Sequence, residues 1–292
     1  MFTKWRTPCR QYGLPVFLFL LLFATVYFFY LDLQQSHKGL TVAMLDIGQG
    51  DAIFIESPTG TQILVDGGPP RKILNQLSRV MSPFDRSIDA LIITNPDLDH
   101  IGGFLDVLEV YKVSEVFEPG TLNDTKIYQN LKDEIKKQNI PDILARRGMR
   151  LDIGGGALID ILFPDHDVSS WSTNDGSVVA RLLYGSTSVM LMGDSTIKTE
   201  QIILKENSPA QLKSTVLKVG HHGSRTSTSD SFLKAVSPKY ALISNGKNNK
   251  YGHPHQEIID TLEQFGAKIL RTDLLGTIVF FCDRINPCEI KK

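Results

Sequence analysis

The stretch Thr94-Asn95-Pro96-Asp97-Leu98-Asp99-His100-Ile101-Gly102-Gly103 decides how this chain is read. It follows the apolar run 90–93, which reads as a buried strand. Two carboxylates and an imidazole therefore fall within four residues where a strand ends and two glycines let the chain turn into the next helix. Asp97, Asp99 and His100 are oxygen and nitrogen donors suited to Zn²⁺ or Mn²⁺. Taken alone, the segment reads equally well as a solvated Asp-rich turn. The rest of the chain decides between them.

Similar polar clusters close other apolar runs. Residues 62–65 lead into Asp66-Gly67-Gly68, 188–192 into Gly193-Asp194-Ser195, and 215–219 into Gly220-His221-His222-Gly223-Ser224. Residues 240–243 lead into Ser244-Asn245-Gly246 and on to Gly252-His253-Pro254-His255. With His100 of the first stretch, five of the seven histidines lie in these clusters, as expected where strand ends along one sheet edge assemble a site.

The intervening pattern predicts strands at 41–45, 52–56, 62–65, 90–93, 158–162, 178–184, 188–192, 215–219, 240–243 and 277–281. It predicts helices at 73–80, 104–111, 126–138, 196–205 and 231–235, and a last one from Pro254 to a stop at Gly266. Glycine-broken hairpins open the first half, and strands then alternate with helices in two similar halves. Two layered sheets flanked by helices are expected.

Five segments now carry a resemblance. Asp46-Ile47-Gly48-Gln49-Gly50-Asp51-Ala52, Leu64-Val65-Asp66-Gly67-Gly68, Asp97-Leu98-Asp99-His100, Gly193-Asp194 and His221-His222-Gly223-Ser224 occur in that order. Together they resemble the metallo-β-lactamase superfamily, specifically the hydrolase domain of ComEC-type competence proteins, over residues 38–283. The resemblance implies an α/β fold, the four-layer αββα sandwich, with a metal site at the sheet edges. Its HxDxDH motif falls on Asn95, Asp97, Asp99 and His100, and its TGD aspartate on Asp194, which would bridge two metals. One of His221 and His222 is implied as a further ligand; we assign His221 to metal and His222 to catalysis with Asp99. Asn174 and Ser177 match a polar motif lying against the site, and His253 matches a late HP motif.

The chemistry needs such residues. Two divalent ions, Zn²⁺ or Mn²⁺, about 3.5–4 Å apart stabilise the entering and leaving oxygens of a phosphodiester displacement. Ser224, His253, Lys247 and Lys250 are candidates to hold phosphate oxygens or protonate a leaving group. Asp46 and Asp66 are candidates to orient a ligand from behind. Asp46 and Asp51 read equally as residues shaping a Gly-rich turn, with Asp51 on the structural side. His255, His166 and His37 read as surface, loop and linker residues. Asn95 departs from the motif's first histidine; a neutral amide is a weaker ligand, so one metal position is expected to be weakened.

The first 37 residues are different in kind. Lys4, Arg6 and Arg10 precede the almost uncharged stretch 13–31, long enough at about 1.5 Å per residue to cross a hydrocarbon core. No small-x-small cleavage site closes it, so an uncleaved anchor is expected rather than a signal peptide. The basic flank places the N-terminus in the cytoplasm and the hydrolase domain outside. Residues 284–292 read as a C-terminal tail. Cys282 and Cys288 are spaced either for a small disulfide loop or as two free thiols, while Cys9 lies on the other side of the membrane.

Net charge is −1 overall, with 42% hydrophobic residues. Residues 38–199 carry 15 basic and 22 acidic groups, and 200–292 carry 13 and 9. That excludes the broad basic footprint of a tight DNA-binding domain. The expected function is a membrane-anchored metal-dependent nuclease or phosphodiesterase acting on single-stranded DNA in uptake or scavenging, served by a separate channel partner. A lactone or ester hydrolase of the same superfamily and a non-catalytic binding module are the alternatives.

Overall fold

Val42 and Met44 enter one hydrophobic core, while Ala43 and Leu45 enter another. The period-2 alternation of a strand thus feeds two cores at once, so the run is apolar throughout. Ile63 and Val65 against Leu64 repeat this, and Val189 and Leu191 against Met190 and Met192 do so in the second half. The computed structural model describes residues 13–35, 39–285 and 288–291.

The first sheet holds β1 (Leu40–Met44), β2 (Ile53–Glu56), β3 (Gln62–Val65), β4 (Ser87–Ile92), β5 (Lys112–Glu118), β6 (Asp142–Leu144), β14 (Ile278–Cys282) and β15 (Glu289–Lys291). Their spatial order is β15-β14-β1-β2-β3-β4-β5-β6. The second holds β7 (Arg150–Gly154), β8 (Ala157–Phe163), β9 (Val179–Tyr184), β10 (Thr187–Leu191), β11 (Val216–Lys218), β12 (Tyr240–Ile243) and β13 (Lys268–Arg271), ordered β13-β12-β11-β10-β9-β8-β7. One core lies between the sheets. A second packs the first sheet under α2 (Ile73–Val80), α4 (Phe104–Val110) and α5 (Lys126–Lys137), and a third packs the other under α6 (Ile197–Glu206), α8 (Asp230–Val236) and α9 (Gln256–Gln264). This is an αββα sandwich. The short helices α3 (Leu98–Ile101), α7 (Pro209–Leu212) and α10 (Thr272–Leu275) fill loops.

Five strands depart from the sequence reading, which places none at β5, β6, β7, β13 or β15. The segment expected as a tail supplies β15, antiparallel to β14, and Cys282 and Cys288 form a disulfide. Helix α1 (Gly13–Gln35) is a separate unit from Gly39–Lys292. Its stretch Gly13–Tyr30 is long and apolar enough to cross a membrane. Lys4, Arg6, Cys9, Arg10 and His37 lie outside the described residues.

Candidate metal centre

Strands β3 and β4 run parallel, as do β10, β11 and β12, so their C-terminal ends deliver loops to one edge of each sheet. Asp66 follows β3, Asn95 follows β4, Asp194 follows β10, and His221 and His222 follow β11. Asp66, His221 and His222 all take positive φ, 58°, 47° and 54°. This region is costly for residues with a Cβ and is retained where side chains must be aimed. Gly50 is held for another reason. A Cβ there would meet the Asp99 carbonyl oxygen at 2.0 Å, so only glycine lets the loop lie against α3.

His100 is fully buried and sits between two carboxylates, Nδ1 at 2.9 Å from Asp66 Oδ2 and Nε2 at 3.1 Å from Asp194 Oδ2. Asp66 also accepts from the Thr94 amide at 2.8 Å and the Thr94 hydroxyl at 2.5 Å. A carboxylate behind an imidazole in this way fixes the tautomer that turns the other nitrogen toward a metal. His222 is held similarly. Its Nδ1 lies 2.9 Å from the Ser244 carbonyl, and its Nε2 lies 3.4 Å from Asp194 Oδ1 and 3.6 Å from Asp99 Oδ2. His221 stands further out, its Nε2 3.9 Å from Asp194.

Among the described residues, His222 Nε2 and Asp194 Oδ1 are buried without a hydrogen-bond partner, and His100 Nε2 meets Asp194 as an ion pair without hydrogen-bond geometry. Buried polar atoms rarely go unmatched. Asp99, His100 and His222 can each offer one donor atom to a common point, as can Asp51, Asp194 and His222. Two imidazoles and carboxylates converging on unsatisfied atoms fit a divalent transition metal.

Electrostatics point the same way. Burial pushes the His222 pKa down, but Asp194 and Asp51 outweigh it and raise it to about 10. His100 is likewise raised well above its ordinary range by Asp194 and Asp66 against burial. Burial opposes ionisation of Asp99 and Asp194, yet the histidines hold Asp99 down to about 2 and Asp194 well below the usual carboxylate range. Burial and the neighbouring His221 and His222 lower His253 to about 4, so it is neutral at physiological pH.

The remaining expected residues are distributed around this centre. A cleft of about 170 Å³ is lined by Asp97, Asp99, Asn174, Asp194, His221, His222 and His253, together with Gln49 and Tyr251. Asp97 accepts from Thr173 Oγ1 at 2.9 Å and Asn123 Nδ2 at 3.1 Å. Asn95 is buried, its Oδ1 taking the Asp97 amide at 2.9 Å and its Nδ2 donating to Asn174 Oδ1 at 2.7 Å. Lys247 lines a neighbouring recess of about 510 Å³ that shares His253. Ser224 and Ser177 are buried outside the cleft lining: Ser224 Oγ accepts from the Thr226 hydroxyl at 3.0 Å, and Ser177 Oγ donates to the Thr173 carbonyl. Asp46 shapes its own loop, accepting from the Gly48 amide at 3.3 Å.

Asp51 is different from its expected turn-shaping role. It is buried, lies 3.3 Å from His222 Nδ1, and forms an ion pair with Lys218. Lys218 is itself fully buried and donates to the Gly193 carbonyl at 2.8 Å. A lysine inside the apolar strand 215–219 was the available signal, because unpaired buried lysines are rare. Asn123 and Thr173 give no such signal; each meets Asp97 only through folding.

A profile of the metallo-β-lactamase superfamily matches residues 45–247, spanning every cluster above except His253. The chain belongs to the metallo-β-lactamase superfamily. It is a metal-dependent hydrolase by fold and family, related to competence proteins. It is 34% identical over 263 residues to ComE operon protein 3 of Bacillus subtilis, covering 82% of this chain and 32% of that protein. It is 31% identical over 259 residues to Recombination protein 2 of Haemophilus influenzae, covering 87% and 30%. The chain thus spans about a third of the length of these relatives. The diiron β-hydroxylase CmlA of Streptomyces venezuelae shares the fold, with a TM-score of 0.55 at 14% identity over 84% of this chain and 54% of that one.

Proposed function

We propose that this chain is a phosphodiesterase that cleaves single-stranded DNA at a membrane surface during uptake or scavenging. The observation that carries the reading is the convergence of half-buried Asp99 with buried His100, Asp194 and His222, flanked by a recess bearing Lys247. Divalent ions held there supply Lewis acidity toward phosphoryl oxygens and acidify water. With Lys218 offsetting Asp51, the carboxylates of Asp66, Asp97, Asp99 and Asp194 leave a charge that two such ions balance. The strong position would use Asp99, His100, Asp194 and His222, so His222 moves from its expected catalytic role to that of a ligand. The weaker one draws on Asp97, His221 and Asn95, whose amide already makes two hydrogen bonds.

The protein's own groups then divide the work. Asp66 orients His100, and the Ser244 carbonyl orients His222. Neutral His253 donates a hydrogen bond to a phosphate oxygen, and Lys247 and Lys250 pair with flanking phosphates. Helix α1 tethers the domain to the bilayer, with the N-terminus cytoplasmic. The names of two longer relatives, Recombination protein 2 and Competence protein ComA, support DNA as the polymer; a channel partner is part of the same proposal.

The test is cleavage of labelled single-stranded DNA by the detergent-solubilised chain, with and without Mn²⁺, alongside metal analysis. Mn²⁺-dependent cleavage that Asp194→Ala abolishes without altering the circular dichroism spectrum is expected. Cleavage that survives Asp194→Ala after complete metal loss refutes the metal chemistry. Two bound metals without cleavage would move the reading to an ester or lactone substrate.

A further inference from the structure

Tyr251 is an aromatic residue lining the metal cleft, and its ring packs into no hydrophobic core. It is 52% exposed, and its hydroxyl makes no hydrogen bond among the described residues. Yet the loop beneath it is built rather than loose. The Asn249 side chain accepts from the Tyr251 amide at 3.2 Å and the His253 amide at 3.0 Å. It also donates to the carbonyls of Gly246 at 3.0 Å and His253 at 2.5 Å. Asn248 and Gly252 take the left-handed backbone that this loop needs, at φ 55° and 71°.

The ring's neighbours are chemically specific. It stacks on His253, with centroids 5.7 Å apart and planes 23° from parallel. The Lys250 ammonium lies 5.0 Å from its centroid. An exposed aromatic ring with a flexible ammonium over its face, next to a phosphate-cleaving centre, binds a nucleotide by base and phosphate together when the ammonium swings off the face to the phosphate.

We infer, resting on the phosphodiesterase reading, that Tyr251 is a stacking platform for an unpaired base adjacent to the scissile phosphate, with Lys250 taking that nucleotide's phosphate. In a duplex interior both faces of a base are covered by its neighbours, so the ring selects single strands and frayed ends. Asn249 positions the platform, and Tyr251 sets which polymer enters.

Binding and cleavage test the two levels separately. In EDTA, the full chain in detergent is titrated against a fluorescein-labelled oligothymidylate and an abasic strand of equal length, followed by anisotropy. The wild type should bind the base-bearing strand about tenfold more tightly, the order expected for stacking one base. Tyr251→Ala should lose that preference and Tyr251→Phe should keep it, since the ring and not the hydroxyl stacks. A wild type without preference, or a Tyr251→Ala variant that retains it, overturns the platform. Cleavage of the same strands with Mn²⁺ reports on the underlying reading: a Tyr251-dependent preference without cleavage removes the phosphodiesterase and leaves the platform standing.

Discussion

Replacing Lys218 by methionine isolates one buried charge. Methionine fills similar length but leaves the Asp51 carboxylate without its ion-pair partner and the Gly193 carbonyl without its donor at 2.8 Å. Removing one member of a buried pair costs about 3–5 kcal/mol, because the survivor remains desolvated. Here His222 stands 3.3 Å from Asp51 and is held protonated by Asp194 and Asp51, so part of the charge stays compensated. The lower end, about 3 kcal/mol, is the expected loss for the metal-free protein. At roughly 2–4 °C per kcal/mol for a domain of this size, the melting temperature should fall by about 6–12 °C. Near-ultraviolet circular dichroism of the detergent-solubilised chain in EDTA gives the melting curve. Lys218→Met combined with Asp51→Asn removes both charges and should recover most of the loss, which a double-mutant cycle would show as coupling. A single variant melting within 2 °C of wild type, or a double variant no better than the single, refutes the reasoning.

Asp66→Asn should keep the fold but weaken metal binding about 10–100-fold, because the amide no longer fixes the His100 tautomer; chelator competition with Mn²⁺ or Zn²⁺ measures it, and an unchanged affinity would remove Asp66 from the centre. The metal-free protein should lose stability as pH rises from the ordinary histidine value of 6.5 toward about 10. The sign follows from the raised pKa: the folded chain retains the His222 proton across that window and the unfolded chain does not. Saturating metal should flatten the slope, since a coordinated imidazole carries no proton at the ligating nitrogen; melting curves across pH 7–10 with an equal slope in both states would contradict it.

What the sequence discloses depends on where a residue's partners lie. The strands β3 and β12 are read to the residue because the unbroken apolar runs 63–65 and 240–243 are buried on both faces save at Tyr240. Four of the five strands not foreseen, β6, β7, β13 and β15, are the outermost strands of the two sheets. Edge strands are short and carry polar side chains such as Asp142, Arg150, Asp152 and Lys268, which protect an open edge and erase the apolar signal. The fifth, β5, has Val113, Val116 and Phe117 separated by Ser114 and Glu115, which matches neither an unbroken run nor strict alternation.

The site divides along the same line. Asp97, Asp99 and His100, or His221 and His222, are legible because one turn of chain holds them together, and a cluster of donors is its own signal. The residues that complete the centre are brought in from far along the chain: Lys218 to Asp51, Thr173 and Asn123 to Asp97, Ser244 to His222. None of these pairs has a spacing to recognise. Burial gives them their weight, since the low-dielectric interior that makes an unpaired Asp51 costly also makes Lys218 decisive. Motif spacing therefore identifies the groups that face the cleft, and only the fold identifies the charges behind them that set how firmly a metal is held.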